Sequence, residues 1–200
     1  MEKKTCVLFG GLGYVGIFLA RSIIESKLFD RVVLADILSV DDLSDYRKSL
    51  LEGLDFEYQK VDVRNKVSIN SVCEVSCIFN LAAIHREPGH ESEEYFKTNI
   101  RGAENICNFA TETNCNKVIF VSSISPYGPS HLSRNELSLT MPNTPYGISK
   151  LTAEKIHSAW NNSEASNELI IFRPGVIFGP DENGNMERMI KAIRRNIFFY

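Results

Sequence analysis

Residues 4–16, KTCVLFGGLGYVG, constrain the fold of this chain more than any other stretch. Thr5 to Phe9 are rich in β-formers and run directly into glycines, after which Val15, Ile17, Phe18, Leu19 and Ile23 recur with a helical period. The order reads as strand, tight turn, helix. The glycines fit Gly11-x-Gly13-x-x-Gly16 and also Gly10-x-x-Gly13-x-x-Gly16. A Cβ in such a turn would hold a pyrophosphate away from the backbone and keep the helix off the strand. The N–H groups that open the helix lie at the positive end of its dipole and face an anion. A lone glycine pattern also occurs as a plain turn. Here the next apolar run, Arg31 to Ala35 (RVVLA), ends in Asp36, about 20 residues beyond the last glycine, where an acid binds the ribose hydroxyls of a dinucleotide.

Composition narrows the class without naming a function. The 200 residues are 44% hydrophobic, enough for one sizeable core, and the formal charge of -3 comes with no run of Lys or Arg. We therefore expect neither a nucleic-acid nor an anionic-membrane surface. The five cysteines, Cys6, Cys73, Cys77, Cys107 and Cys115, are odd in number and lack metal-ligand spacing, so they read as reduced thiols of a cytoplasmic protein, with no metal site. The basic start Met1-Glu2-Lys3-Lys4 and the apolar stretch to Ala20 superficially resemble a secretory signal, but glycines interrupt the stretch and no clear cleavage site follows. It is also too short to span a bilayer.

Beyond Asp36 the chain alternates strands and helices. Val40 to Leu51 reads as a short helix, Phe56 to Val61 as a strand, Lys66 to Glu74 as a helix, and Cys77 to Phe79 as a buried strand opening into Asn80-Leu81-Ala82-Ala83. A long helix is expected within Glu91 to Thr113, a strand over Lys117 to Val121, a loop from Gly128 to Asn143, a helix over Pro145 to Trp160, a strand over Leu169 to Phe172 and a helix over Met186 to Arg195. This order predicts an α/β fold, a doubly wound parallel sheet with right-handed crossovers. Ligands of such sheets lie beyond the carboxyl ends of the strands, and Gly10, Asp36, Asp62, Asn80 and Ser123 all fall at such ends.

Tyr146 and Lys150 in YGISK lie four residues apart on the expected helix, hence on one face. A nearby cation favours the phenolate of a tyrosine, so the pair can move a proton to or from a substrate hydroxyl, with Ser123 bonding the same oxygen. Taken alone, Tyr-x-x-x-Lys is common by chance and forms exposed helix pairs of small energetic value.

The motifs together resemble the extended short-chain dehydrogenase/reductases, of the nucleotide-sugar epimerase and dehydratase branch, with UDP-sugar 4-epimerases the nearest in kind. The residues that carry the resemblance are GGLGYVG (10–16), Asp36, Asp62-Val63, NLAA (80–83), Asn99 in KTNIRGAEN, VSSISPYG (121–128), PYGISK (145–150) and FRPGVIFGP (172–180). It implies a Rossmann-type fold and NAD as cofactor. Gly10, Gly13, Tyr14, Val15 and Gly16 would hold the pyrophosphate, Asp36 the adenosine ribose, and Asp62 with Val63 the adenine. Leu81, Ala82 and Ala83 would line the cofactor channel. Tyr146 would be the general base and acid, Lys150 would also reach the nicotinamide ribose, and Ser123 would orient the substrate hydroxyl. Asn99 would anchor a helix. His85 and Thr144 are further candidates for touching a nucleotide-sugar substrate, while His90, His131 and His157 read as surface residues and Glu136 as a loop residue near the sugar.

The family's dehydratases carry an Asp-Glu pair directly after the catalytic hydroxyl residue; here those positions are Ile124 and Ser125. Hydride chemistry at carbon 4 needs neither, which leaves 4-epimerisation. Pro126, where the family prefers Val, departs from the pattern. The resemblance further implies an NAD-binding domain over 1–180, with 181–200 the start of a substrate domain largely absent from the sequence. It also implies a homodimer through a four-helix bundle. A keto-sugar reductase shares every catalytic residue, and a dinucleotide-binding module without turnover stays open beside both.

Overall fold

A computed structural model describes residues 4–70, 72–86, 89–182 and 184–197. Six strands form one parallel sheet: β1 (Thr5–Phe9), β2 (Arg31–Asp36), β3 (Glu57–Lys60), β4 (Cys77–Asn80), β5 (Lys117–Val121) and β6 (Glu168–Phe172). Their order across the sheet is β3-β2-β1-β4-β5-β6. The winding reverses between β1 and β4, so the loops after these neighbouring strands diverge and leave a crevice at their carboxyl ends.

β1 is wholly buried because both its faces are covered. Cys6 and Leu8 pack with Ile17, Ala20 and Ile23 of α1 (Tyr14–Ser26) and Leu51 of α2 (Asp45–Leu51). Val7 and Phe9 face the other way, with Ile106, Phe109 and Ala110 of α4 (Arg101–Glu112) and Trp160 of α5 (Pro145–Asn161). Phe9 meets Phe109 edge-on, with ring centroids 5.6 Å apart, an arrangement favoured by the ring quadrupoles. The cover is thinner over β5 and β6. Val118 and Phe120 point to the helical side, whereas Ile170 and Phe172 on the opposite face of the edge strand are exposed.

Several expected elements take different forms. The segment 40–51 divides into a 3-10 turn (Val40–Asp42) and α2, which Ser44 caps by accepting the Arg47 N–H. The expected helix from Lys66 to Glu74 is absent among the described residues. Val67 and Ile69 alternate inward with exposed neighbours and pack extended against the core that contains Val75 and α4, so a period of two wins there. Cys73 is exposed in that segment, and all five cysteines are free. The long helix is interrupted: α3 (Ser92–Tyr95) passes through a π-helical turn (Phe96–Ile100) into α4. α6 (Asn185–Arg194) closes the described chain, with Ile190 and Ile193 exposed, while Phe198, Phe199 and Tyr200 lie outside the described residues.

The turn after β1 depends on missing Cβ atoms. Gly10 has φ 76°, and a Cβ there would lie 2.7 Å from the Ala82 nitrogen; a Cβ on Gly16 would run into the Gly10 carbonyl and lie 2.8 Å from the Gly11 carbonyl carbon. Each obstacle is backbone and cannot rotate away. Replacing Gly16 by Ala is expected to lower the unfolding free energy by about 3 kcal/mol, the upper range for overpacking a filled site. Urea denaturation checks this, and an unchanged midpoint would show that α1 does not need this close approach.

Candidate active site

The crevice opens where the sheet winding reverses. On one side is the turn Gly10–Gly13, tied to β2 by the Gly10 N–H to the Ala35 carbonyl at 2.9 Å. On the other is residues 81–86, whose Leu81 N–H bonds the Phe9 carbonyl at 2.8 Å. Leu81, Ala82 and Ala83 are half-buried along that wall. Gly13 is the N-cap of α1 and supplies no side-chain cap, and the first turn of α1 contains no acid. The N–H groups at Tyr14 and Val15 therefore open the helix without a local anion of their own, a cradle that fits a pyrophosphate.

Asp36 closes the turn from behind. Its carboxylate accepts from the Leu12 N–H at 2.9 Å and from the Leu38 N–H at 3.0 Å, and the residue is 8% exposed. Burial raises its pKa, against the backbone N–H groups that stabilise the anion. Asp62 is gripped by Arg64, whose Nε and Nη2 reach its carboxylate oxygens at 2.9 and 2.6 Å. Val63 is buried, with its carbonyl bonded by Asn105 Nδ2 at 2.8 Å.

The residues expected from the sequence to handle a proton, Ser123, Tyr146 and Lys150, lie just beyond β5 and on α5. Lys150 is 2% exposed; its Nζ donates to the Val121 carbonyl at 2.6 Å and stands 4.3 Å from the centre of the Phe120 ring. Burial pushes its pKa down to about 7, while the carbonyl, the ring face and Glu154 favour the charged form. Tyr146, one turn earlier, is half-buried, with its ring 6.1 Å from that of Tyr95. Ser123 Oγ accepts from the Ser125 N–H at 3.1 Å and donates to Ser125 Oγ at 3.1 Å. The Ser125 carbonyl packs against Gly147, where an added Cβ would come within 2.9 Å, so the loop after Ser123 abuts the turn of α5 that carries Tyr146.

Asn99 joins these parts. From the π-helical turn its Oδ1 accepts from the Ile84 N–H at 2.9 Å, and its Nδ2 donates to the Ile84 carbonyl at 3.0 Å and to Ser149 Oγ at 2.9 Å. Ser149 in turn donates to the Tyr146 carbonyl at 2.8 Å. Thr144 caps α5 by accepting the Gly147 N–H at 3.1 Å. His85 is exposed on the loop beyond Ile84, and Glu136 is exposed with its carbonyl 3.5 Å from Arg173 Nη1.

Comparison with known proteins now bears on this geometry. Residues 6–198 match the NAD dependent epimerase/dehydratase family. The chain belongs to that family. It is 30% identical over 134 residues to the N-acetyl-alpha-D-glucosaminyl-diphospho-ditrans,octacis-undecaprenol 4-epimerase of Escherichia coli O157:H7, covering 66% of this chain and 40% of the relative. It is 24% identical over 201 residues to the UDP-glucose 4-epimerase of Vibrio cholerae, covering 97% of this chain and 58% of that enzyme. It is also 28% identical over 215 residues to short-chain dehydrogenase/reductase family 42E member 1 of Xenopus laevis, covering 99% and 52%. The chain thus spans about half the length of these curated relatives. Among solved structures, UDP-glucuronic acid 4-epimerase from Bacillus cereus in complex with NAD shares the fold with a TM-score of 0.81 at 21% identity, covering 96% of this chain and 64% of that one. UDP-N-acetylglucosamine 4-epimerase from Methanobrevibacter ruminantium M1 does so with a TM-score of 0.79 at 24% identity, covering 98% and 64%.

Beneath the site this epimerase-family chain carries a polar layer that sequence reasoning missed. Glu154, 3% exposed, accepts from Ser122 Oγ at 2.5 Å and pairs with Arg173 through Nε at 2.8 Å and Nη2 at 2.6 Å. Arg173 also donates to the Tyr127 hydroxyl at 2.7 Å. Pro126 fits this arrangement, because it occupies the start of a 3-10 turn (Ser125–Tyr127) that buries Tyr127. The available signal was Glu154 one turn beyond Lys150 on the same face.

His157 is not the surface residue that the sequence, with no metal spacing around it, had suggested, but is fully buried. It stacks on Phe120 at 4.3 Å, its Nδ1 donates to the Ala153 carbonyl at 2.8 Å, and its Nε2 accepts from Asn80 Nδ2 at 3.2 Å. Burial holds its pKa near 4. Since the unfolded chain has an ordinary histidine pKa of about 6.5, the unfolded state binds the extra proton between these values, and stability falls as pH drops through that window. Chemical denaturation at pH 7 and pH 4.5 is expected to show a loss of up to about 3 kcal/mol from this residue. The part due to His157 is absent from the variant His157→Leu. Equal pH dependence in both proteins would remove the buried imidazole from the account.

Proposed function

We propose that this chain is the cofactor-binding and catalytic part of an NAD-dependent nucleotide-sugar 4-epimerase. The observation that supports it best is the joint placement of Ser123, the Tyr146 turn and buried Lys150 beside a crevice whose glycine turn is backed by an acid. The backbone N–H groups of Tyr14 and Val15, with Gly10, Gly13 and Gly16 giving room, would hold the pyrophosphate. Asp36 would hold the adenosine ribose, Asp62 and Val63 the adenine, and Leu81, Ala82, Ala83 and Lys150 the nicotinamide half. A carboxylate at Asp36 repels a 2′-phosphate, which favours NAD over NADP.

Bound NAD supplies the hydride acceptor and, on return, the donor. The rest is work for the protein. Lys150, fixed by the Val121 carbonyl, favours the phenolate of Tyr146. Tyr146 takes the proton of the sugar's C4 hydroxyl while Ser123 holds that oxygen. The same tyrosine returns the proton to the C4 oxygen once the keto sugar has presented its other face. Ile124 and Ser125 provide no acid or base for elimination of water. His85 and Thr144 would border the space assigned to the sugar nucleotide. Pairing of two copies through the outer faces of α4 and α5 belongs to the same proposal.

A keto-sugar reductase is the second reading, favoured by the match of 99% of this chain to about half of the dehydrogenase/reductase relative. The two differ in whether the dinucleotide leaves in each cycle. On the epimerase reading, denaturing the purified chain releases near-stoichiometric NAD, identified by mass spectrometry. Released NADP would instead overturn the role of Asp36 and favour the reductase. Tyr146→Phe is expected to keep its NAD and lose about a thousandfold in interconversion of C4-epimeric nucleotide sugars, in the range supplied by general acid–base catalysis. Unchanged turnover would exclude Tyr146 as the base.

A further inference from the structure

The chain beyond β6 returns to the glycine turn. Asp181 Oδ2 accepts from Ser44 Oγ at 2.7 Å and from Arg47 Nε at 2.9 Å, and Arg47 Nη2 donates to the Asp181 carbonyl at 3.0 Å. Both side chains are mostly shielded, Arg47 at 19% and Asp181 at 24% exposure. Asp181 adopts φ 64°, a left-handed conformation that Asp tolerates better than most residues and that reverses the chain here. Two residues earlier, Gly179 rests on the Tyr14 hydroxyl so closely that a Cβ would collide with it. The Arg47 guanidinium covers the same tyrosine ring, 5.5 Å from its centroid.

Tyr14 is the first residue of α1 and sits directly after the N-cap Gly13. The ion pair, the ring contact and the glycine contact therefore converge on the residue whose N–H opens the anion cradle. They fasten residues 179–182, from the far edge of the sheet, to α2 at its other side.

We propose that Arg47 is a positioning residue: through Asp181 it straps residues 179–182 over Tyr14 and slows exchange of a dinucleotide bound at the glycine turn. The proposal rests on the NAD reading above. It suits a reaction that oxidises and then re-reduces the same carbon, since a dinucleotide lost after the first half would leave the keto sugar stranded. Opening the strap breaks a partly desolvated ion pair, a second guanidinium bond to the Asp181 carbonyl and a cation–π contact together, which places its effect on the rate of release.

The test is release of NADH from the purified chain, followed by its fluorescence after addition of excess NAD. Arg47→Ala and Asp181→Asn are each expected to speed release about five- to tenfold, as for loss of an ion pair with an accompanying ring contact. The double variant releases no faster than the faster single variant, because both substitutions break one link. Arg47→Lys, which keeps the charge, restores part of the effect. Added salt speeds release from the parent chain by a larger factor than from Asp181→Asn. Release at the parent rate in Arg47→Ala and Asp181→Asn overturns the strap, and so does a lowered melting temperature with no change in release. NADH that binds but leaves all variants equally fast sinks this proposal alone. Failure of the parent chain to bind NADH sinks it together with the NAD reading.

Discussion

Backbone meeting backbone at the glycine turn is the constraint on which the rest of this structure depends. Gly10 and Gly16 let the end of β1, the start of α1 and the Ala82 strand end approach within distances that no Cβ allows. Once they have met, the turn is held from two sides, by the Ala35 carbonyl and by the Asp36 carboxylate. The sheet order then does what the turn cannot do alone. With β2 and β4 flanking β1, the chain leaves the sheet in opposite directions and the crevice opens above the turn. A helix N-terminus without its own acidic cap points into that space.

The second constraint lies under α5. The buried side of this helix carries Lys150, Glu154 and His157, and each meets the cost of burial in its own way. Lys150 finds a carbonyl and an aromatic face, Glu154 a guanidinium and a hydroxyl, and His157 gives up its charge and bonds Asn80 and Ala153. Phe120 joins two of them, with the ammonium over its ring and the imidazole stacked on it. A core of aliphatic residues would seat α5 as firmly, but it would not fix where an ammonium stands relative to the tyrosine one turn away. The Glu154–Arg173 pair adds a tie from α5 to the end of β6, and Arg173 passes it on to the turn that follows Ser123. The position of Ser123 and the position of Tyr146 are thus set by one connected set of bonds.

What the sequence disclosed and what it hid divide along the same physical line. The glycine turn, Asp36 at the next strand end and the Tyr146–Lys150 spacing are local patterns, each fixed by residues a few positions apart or by a characteristic separation, and the glycine turn, Asp36 and Lys150 Nζ all lie at carboxyl ends of strands. Segment 66–74 misled because its apolar residues satisfy a helical count over nine positions, while Val67 and Ile69 alternate strictly where the packing decides. His157 misled for a different reason: a polar residue on a buried helix face declares itself only through its partner, and Asn80 lies on β4, 77 positions away. Arg47 and Asp181 were beyond reach altogether, since 134 positions separate them and neither sits in a motif.

Asp36 shows how closely fold and recognition are coupled here. Burial works against its charge, backbone N–H groups of Leu12 and Leu38 offset part of that cost, and those same bonds hold the turn in shape. The N–H groups of Ile37 and Gly13 also face the carboxylate and favour its anion. On the proposed NAD reading a neutral side chain at this position would relax discrimination against a 2′-phosphate, and it would also release the Leu12 N–H and loosen the turn. On that reading selectivity and preorganisation would rest on one carboxylate, so the first could not be traded without disturbing the second.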